Sequence, residues 1–370
     1  MINANEILGD LLKQYGFDNQ DYNIQQFDSG LINKTWKIVS RKKTYIIQKI
    51  NEQVFKKPED IDKNLLRLKD FLHTQYSGYL FVAPIPSIDG STLINTVDGY
   101  FRAFDYIKGS ETLNFVRTSD EAYEAAKQFG KLSKLLSEFN PDKLMYTLPD
   151  FHNLPLRYHQ FHEANTNASE ERLKNANEAI TSIQSHVDIV ETFNEILSTA
   201  SIPLRVIHHD TKISNVLFNK HKKGLCVIDL DTIMPGYFIS DTGDMMRTYL
   251  SAANEEETDF NKIEIRQDIF EAICSGYFSE MGDVLTTTEI DLFIYSGEFM
   301  IYMQAVRFLT DYLNNDVYYG ARYPEQNLSR ALNQITLLEK YLINKPLFRQ
   351  FIENNNSSIP DLGIGKGLEN

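Results

Sequence analysis

Cysteine is nearly missing from this 370-residue chain: Cys226 and Cys274 are the only two, each inside an apolar stretch and neither spaced from a second ligand as a metal site requires. Such usage argues against a disulfide-stapled secreted scaffold and predicts two packed free thiols. Hydrophobic runs are short as well, and none approaches the ~18 apolar residues of a bilayer span. The opening MINANEILGD has neither the basic start nor the apolar stretch of a secretory signal, so a cytoplasmic protein with no membrane partner is expected. Positive charge is scarce. Against 51 Asp and Glu stand 37 Lys and Arg, a net charge of −14. A nucleic-acid backbone is gripped by clustered Lys and Arg, so nucleic acid is not expected as a partner, and nothing in the composition implies a protein partner.

What is present is an ordinary globular composition, 42% hydrophobic and 24% charged, long enough for two packed lobes. Between about Tyr22 and Ile50, KTWKIV and TYIIQKI flank a polar turn at Ser40-Arg41-Lys42 and read as a hairpin. Asp98-Gly99 marks a second hairpin between TLINT and YFRAFDYI. A helix is expected between the hairpins, with Pro58 in its first turn and Ile61, Leu65, Leu68 and Leu72 on one face. After Lys108-Gly109 the pattern turns helical. Ala122, Ala125, Phe129, Leu132, Leu136 and Phe139 share a face, and helical patterns fill roughly 171–199, 262–280 and 289–314. One β-like insert interrupts them, NVLF and LCVIDL around the turn NKHKKG. The chain therefore reads as α+β, with a small, mainly antiparallel β-rich lobe over 1–107, a larger, mainly helical lobe over 108–353, and a polar tail over 354–370.

The chemistry lies around that insert. IHHDTKISNVLF and LCVIDLDT set His208, Asp210, Asn215 and Asp229 in the order H-x-D-x4-N, followed by I-D after a hairpin. Phosphoryl transfer accounts for the order: a hydroxyl nucleophile needs an acceptor for its proton, and a triphosphate needs oxygen ligands that hold Mg²⁺ against it. Asp210 is the expected proton acceptor, and Asn215 and Asp229 the expected metal ligands, so ATP and Mg²⁺ are the expected cofactors. On a strand, Asp229 and Asp231 of IDLD would share a face, which leaves Asp231 as a neighbouring contact or a turn residue. Asp241 of SDTGDMMR either holds the Asp210 loop by accepting its backbone N–H groups or caps a helix.

These residues resemble the aminoglycoside phosphotransferase and choline kinase superfamily. The resemblance implies a protein-kinase-like bilobal fold. HHDTKISNVLF, VIDLDTIMPG, DTGDMMRTY, FHNLP and RFLTDYLNNDVYY are similar, more narrowly, to the N-acetylhexosamine 1-kinases, over about Phe27 to Tyr341. That family transfers the γ-phosphoryl group of ATP to the anomeric hydroxyl of N-acetylglucosamine or N-acetylgalactosamine. By resemblance, the sugar pocket draws on Thr232, Arg307 and Tyr318. Kinases of another small alcohol (an aminoglycoside, choline, homoserine or another sugar) share the loop and differ in the acceptor pocket, and an inactive kinase-like binding protein is the reading from outside enzymology.

Two departures accompany the resemblance. The phosphate-covering turn FDSGLINKTW has Gly30 as its only glycine, and Leu31 stands where a polar residue is expected in the N-acetylhexosamine kinases. In TYIIQKI, Gln48 and Lys49 fall on opposite faces. Lys49 is the candidate phosphate-binding cation, Gln48 is the alternative inward residue, and Glu59 is a candidate partner for the lysine.

Overall fold

The computed structural model describes residues 4–16, 22–27, 32–41 and 43–355. Gly30 and Leu31 of the turn expected to cover the phosphates, and the tail after Asn355, lie outside the described residues. Five strands form one antiparallel sheet: β1 (Tyr22–Phe27), β2 (Lys34–Ser40), β3 (Thr44–Lys49), β4 (Ile94–Thr96) and β5 (Gly99–Asp105), in the spatial order β1-β2-β3-β5-β4. The β4–β5 hairpin turns through Val97 and Asp98, and Gly99, which opens β5 at φ +113°, pairs with Thr96. Alternation gives the sheet two faces. Trp36, Ile38, Ile47, Phe101 and Ala103 bury one of them against Leu8, Leu11 and Leu12 of α1 (Ala4–Gln14), a helix the sequence analysis did not single out.

Helix α2 (Pro58–Gln75) starts on Pro58 and buries Ile61, Leu65, Leu68 and Leu72 as its spacing predicts. Those side chains share a core with Phe129, Leu132 and Leu136 of α3 (Ser119–Leu135) and its C-cap, so α2 bridges the sheet to the helices beyond it. Then come α4 (Leu154–Asn167) and, over the segment expected to be helical, α5 (Glu170–Asn175), α6 (Asn177–Ser185) and α7 (Asp188–Thr199). Strand β6 (Arg205–Ile207) pairs with β9 (Met234–Gly236), and β7 (Val216–Phe218) pairs with β8 (Gly224–Val227) as the expected hairpin. The rest is α8 (Phe238–Tyr249), α9 (Gln267–Met281), α10 (Thr287–Asp291), α11 (Phe293–Leu313) and α12 (Gln326–Asn355). Nineteen of the residues of α11 are buried, because α4, α8 and α12 all pack on it. Both cysteines are buried and unbonded. Among the described residues no helix is long and apolar enough to cross a membrane.

Candidate active site

The 208–215 loop leaves β6 through His209, whose φ of +67° is uncommon for a residue with a Cβ. Asp241, buried on α8, holds that turn: its two carboxylate oxygens accept the His208 N–H at 2.9 Å and the His209 N–H at 2.7 Å. It sits inside α8, past the N-cap Tyr237, so the loop-holding alternative is the one realised. Burial pushes its carboxyl up to about 6, against the pull of His208 and of the two N–H donors. Helix α8 reaches the loop because Gly243 lies on α11; a Cβ at that position would fall 2.1 Å from the Ser296 carbonyl oxygen. One turn on, Asp244 accepts the Thr211 N–H at 2.8 Å and pairs with Arg247, and the Tyr249 hydroxyl donates to the Thr211 carbonyl.

Within this frame the Asp210 N–H donates to His208 Nδ1 at 3.2 Å, and His208 Nε2 lies 3.0 Å from the Ile228 carbonyl, which fixes the ring as the Nε2–H tautomer by its partners. The Asn215 amide donates to the Asp210 carbonyl at 2.8 Å and to its carboxylate at 3.0 Å. Lys212 approaches the same carboxylate oxygen at 3.2 Å. Burial alone would lower the lysine's pKa, but Asp210 and Asp244 outweigh it, and the ammonium is held charged. His209 is the opposite case: burial, then His208, push it down to about 3, so it stays neutral.

Asp229 and Asp231 do not share a strand face. Strand β8 ends at Val227, Asp229 turns left-handed at φ +60°, and Leu230–Thr232 form a 3-10 turn, so strand alternation does not place the two carboxylates. Asp229 opens to the cleft and accepts no hydrogen bond from the described residues. Crowding by protein atoms, then Asp231 and Asp210, raise its carboxyl to about 7. Asp231 is sealed. Arg102 of β5 lies 2.5 Å from its Oδ1, a charge contact without good hydrogen-bond direction, and the Asn33 amide donates to its Oδ2 at 2.7 Å.

The same arginine decides between Gln48 and Lys49. Gln48 Oε1 accepts from Arg102 Nη2 at 2.8 Å, on the face turned to Asp231. Lys49 lies on the other face with Ile47, its ammonium 5.8 Å from the Phe101 ring. The lysine expected at the phosphates is therefore turned away, as strand alternation requires once Gln48 points inward. Nor is Glu59 its partner: Glu59 accepts the Tyr100 hydroxyl instead.

Beside the loop opens a cavity of about 600 Å³ lined by α4, α11 and the segment after α11. Arg307 and Tyr318 both line it. The Arg307 guanidinium lies 5.4, 5.9 and 5.6 Å from the rings of Phe151, Tyr318 and Tyr319. Phe151 stacks on His152 at 4.4 Å, and His152 lies 5.3 Å from His209, so FHNLP connects the cavity to the loop. Thr232 is brought to the loop but not to the cavity wall. It is buried and donates its hydroxyl hydrogen to the His208 carbonyl at 2.6 Å, so it cannot also donate to a sugar.

A model of the phosphotransferase enzyme family matches residues 23–270, a span that contains Arg102, the 208–215 loop, Asp229 and Asp241 but not Arg307 or Tyr318 of the cavity. The chain belongs to that family. Solved structures agree in fold. A spectinomycin phosphotransferase in complex with ADP and spectinomycin is 15% identical over 93% of this chain and 99% of its own, with a TM-score of 0.59. A microcompartment-associated aminopropanol kinase is 16% identical over 92% and 98%, at 0.65. The choline kinase of Cryptosporidium parvum Iowa II is 14% identical over 96% and 99%, at 0.57.

In this phosphotransferase no group of three or more His, Cys, Asp and Glu side chains among the described residues is arranged to hold a metal unaided. The oxygens near Asp210 suit a cation shared with a phosphate ligand: Asp229 has no protein donor, and Asn215, its NH₂ spent on Asp210, keeps its amide oxygen free. Arg102 and Lys212 were not singled out as site residues from sequence. Both left a signal there: a lone arginine inside the apolar strand YFRAF, and a lysine two residues after Asp210.

Proposed function

We propose that this phosphotransferase is an ATP-dependent sugar 1-kinase, transferring the γ-phosphoryl group to the anomeric hydroxyl of N-acetylglucosamine or N-acetylgalactosamine. The nucleotide would lie between the lobe of residues 1–107 and the helical lobe of 108–353. The observation that carries the reading is the pairing of two unlike carboxylates: Asp210, fixed by Asn215 and open to the cleft, and Asp229, left without a protein donor. Asp210 accepts the sugar hydroxyl's proton as the O–P bond forms. Asn215 and Asp229 would hold Mg²⁺, which supplies charge neutralisation to the phosphates. Lys212, held cationic beside Asp210, faces the same developing charge. In this arrangement Gln48, the alternative to Lys49 as the inward residue of β3, takes that face together with Arg102 of β5.

The cavity supports a sugar as the acceptor class. Aminoglycosides, choline and amino alcohols are cationic, and a guanidinium caged by three aromatic rings is a poor neighbour for a second cation. Hydroxyl and amide oxygens of a sugar accept from it well. Arg307→Leu should therefore raise the sugar KM by roughly 10- to 150-fold, the equivalent of losing about 1.5–3 kcal/mol of hydrogen bonding to a charged donor, with the KM for ATP nearly unaltered. Tyr318→Phe should shift it less, in the same direction. Michaelis constants for both substrates decide: unaltered sugar kinetics in Arg307→Leu remove the acceptor assignment.

A further inference from the structure

The Tyr318 side chain, assigned above to the acceptor, is not held by its own packing. It is 72% exposed and its neighbour Val317 81%, on a turn that leaves α11 through Asn315 and Asp316, left-handed at φ +64° and +60°. Two successive residues with a Cβ persist in that region only where their surroundings hold them. The hold here is a carboxylate. Asp311, one helical turn past Arg307 on α11, accepts the Tyr318 N–H at 2.7 Å on one oxygen and the Tyr319 N–H at 2.9 Å on the other, while its carbonyl accepts the Asp316 N–H at 2.8 Å. The turn is thereby folded back over Arg307, and the Tyr318 hydroxyl comes within 3.5 Å of the guanidinium. Tyr319 fixes the far side, its ring 5.0 Å from that of Phe308.

A second helix closes this network. Asn327, in the first turn of α12 and fully buried, has its amide nitrogen 3.1 Å from Asp311 Oδ2, 2.9 Å from Asp316 Oδ1 and 3.0 Å from the Gly320 carbonyl oxygen. Arg330 donates to its Oδ1 at 3.2 Å, which orients the amide by its partners. An NH₂ group has two hydrogens, so three acceptors from α11 and the turn converge on one donor. The other oxygen of Asp316 meets Arg172 of α5 at 2.9 Å. Without the amide, two like charges and a carbonyl would converge with nothing between them. Asn327 is not one of the residues lining the cavity, so whatever it does for an acceptor it does through the turn.

We propose that Asn327 is a positioning residue for the acceptor: acting through Asp311 and Asp316, it sets the turn of residues 314–320 so that Tyr318 and Arg307 meet the sugar as one preformed surface. This rests on the sugar-kinase reading and adds to it the device that shapes the acceptor subsite. A turn ordered before the sugar arrives spares binding the entropy of ordering it, and that saving falls on the sugar alone, since the network does not touch the 208–215 loop or Asp229.

The test uses the full chain with Mg-ATP, follows ADP release, and takes N-acetylglucosamine and N-acetylgalactosamine as acceptors, with choline and aminopropanol as controls. Asn327→Ala, assayed below its melting temperature, should raise the sugar KM by roughly tenfold while kcat and the KM for ATP stay within about twofold of wild type. Tyr318→Phe, which weakens sugar binding in the wild-type background, should add nothing in the Asn327→Ala background, because the hydroxyl is already out of place. Should Asn327→Ala fail to fold, Asp316→Gly takes its part: glycine suits φ +60°, and the Asn327 amide keeps Asp311 and the Gly320 carbonyl for its two hydrogens, so the turn is untied without stranding a buried donor. The same rise confined to the sugar KM, and the same loss of the Tyr318→Phe effect, are expected of it. Unaltered sugar KM in the folded variant, an equal rise in both Michaelis constants, or a Tyr318→Phe effect that multiplies in full overturns the positioning role and leaves the sugar kinase standing. Wild-type turnover of choline or aminopropanol and of neither sugar sinks the sugar reading and this proposal together.

Discussion

Asp210→Asn should lower turnover by roughly 10²- to 10⁴-fold in a protein that unfolds at the wild-type temperature and still binds ATP. The reason is a separation between what holds the loop and what acts from it. The loop is anchored by Asp241 on two backbone N–H groups, by Asp244 on a third, and by the hydroxyls of Tyr249 and Thr232 on its carbonyls. None of these bonds uses the Asp210 carboxylate. An asparagine there is nearly isosteric and keeps a carbonyl oxygen for the Asn215 amide, and the Asp210 backbone carbonyl continues to accept from Asn215. What is lost is the ability to take up a proton and the charge paired with Lys212 at 3.2 Å, for which Asp244 remains as the second neighbouring carboxylate. Rates under saturating Mg-ATP and sugar, beside a thermal melt, provide the check. Near-normal turnover in the folded variant excludes Asp210 as the base.

Much of this arrangement is legible from the residues alone, and the reason is locality. H-x-D-x4-N spans eight residues, so the Asp210 carboxylate and the Asn215 amide meet through a loop short enough to read. The face of α2 and the hairpin marked by Asp98-Gly99 are likewise local patterns; the helix face appears as expected, and the hairpin forms with Val97 and Asp98 as its turn residues. What failed to read depended on where a strand ends or on partners far apart in sequence. Asp229 and Asp231 would share a face only if β8 continued, and it stops at Val227. Gln48 rather than Lys49 faces inward because Arg102, 54 residues away, occupies the neighbouring strand and needs an acceptor on the Asp231 side. No period in TYIIQKI distinguishes those faces, since both alternations mix apolar and polar residues. The two facing walls of the cavity come from α4 and α11, with Arg157 and Arg307 150 residues apart, and each arginine alone resembles a surface charge.

The two carboxylates of IDLD should respond to removal in opposite ways. Asp229→Ala is expected to abolish phosphoryl transfer, with little recovery on raising Mg²⁺, because the carboxylate assigned to the metal is gone. Its fold should not suffer. In the metal-free protein the Asp229 carboxyl is raised to about 7 by crowding, Asp231 and Asp210, so its native state holds a proton that the unfolded chain has already released. Stability tied to that proton is full below about 4, where the unfolded carboxyl titrates, and is lost as pH rises through about 7. The alanine variant lacks this loss and should be no less stable than wild type at neutral pH. Asp231→Ala reverses the pattern. It strands Arg102, 2% exposed, whose Nη1 already has no partner, and leaves the Asn33 amide without its acceptor. Breaking a buried pair on one side typically costs about 3–5 kcal/mol, and that loss should appear in denaturant unfolding. Pairing Asp231→Leu with Arg102→Met, which removes both charges, should recover much of it, whereas either change alone should not. The measurements are unfolding free energies and rates for Asp229→Ala, Asp231→Ala and the double variant. A stable, active Asp229→Ala beside a stable, inactive Asp231→Ala would mean that the metal-binding carboxylate is Asp231, and that Arg102 is not held in place by its charge.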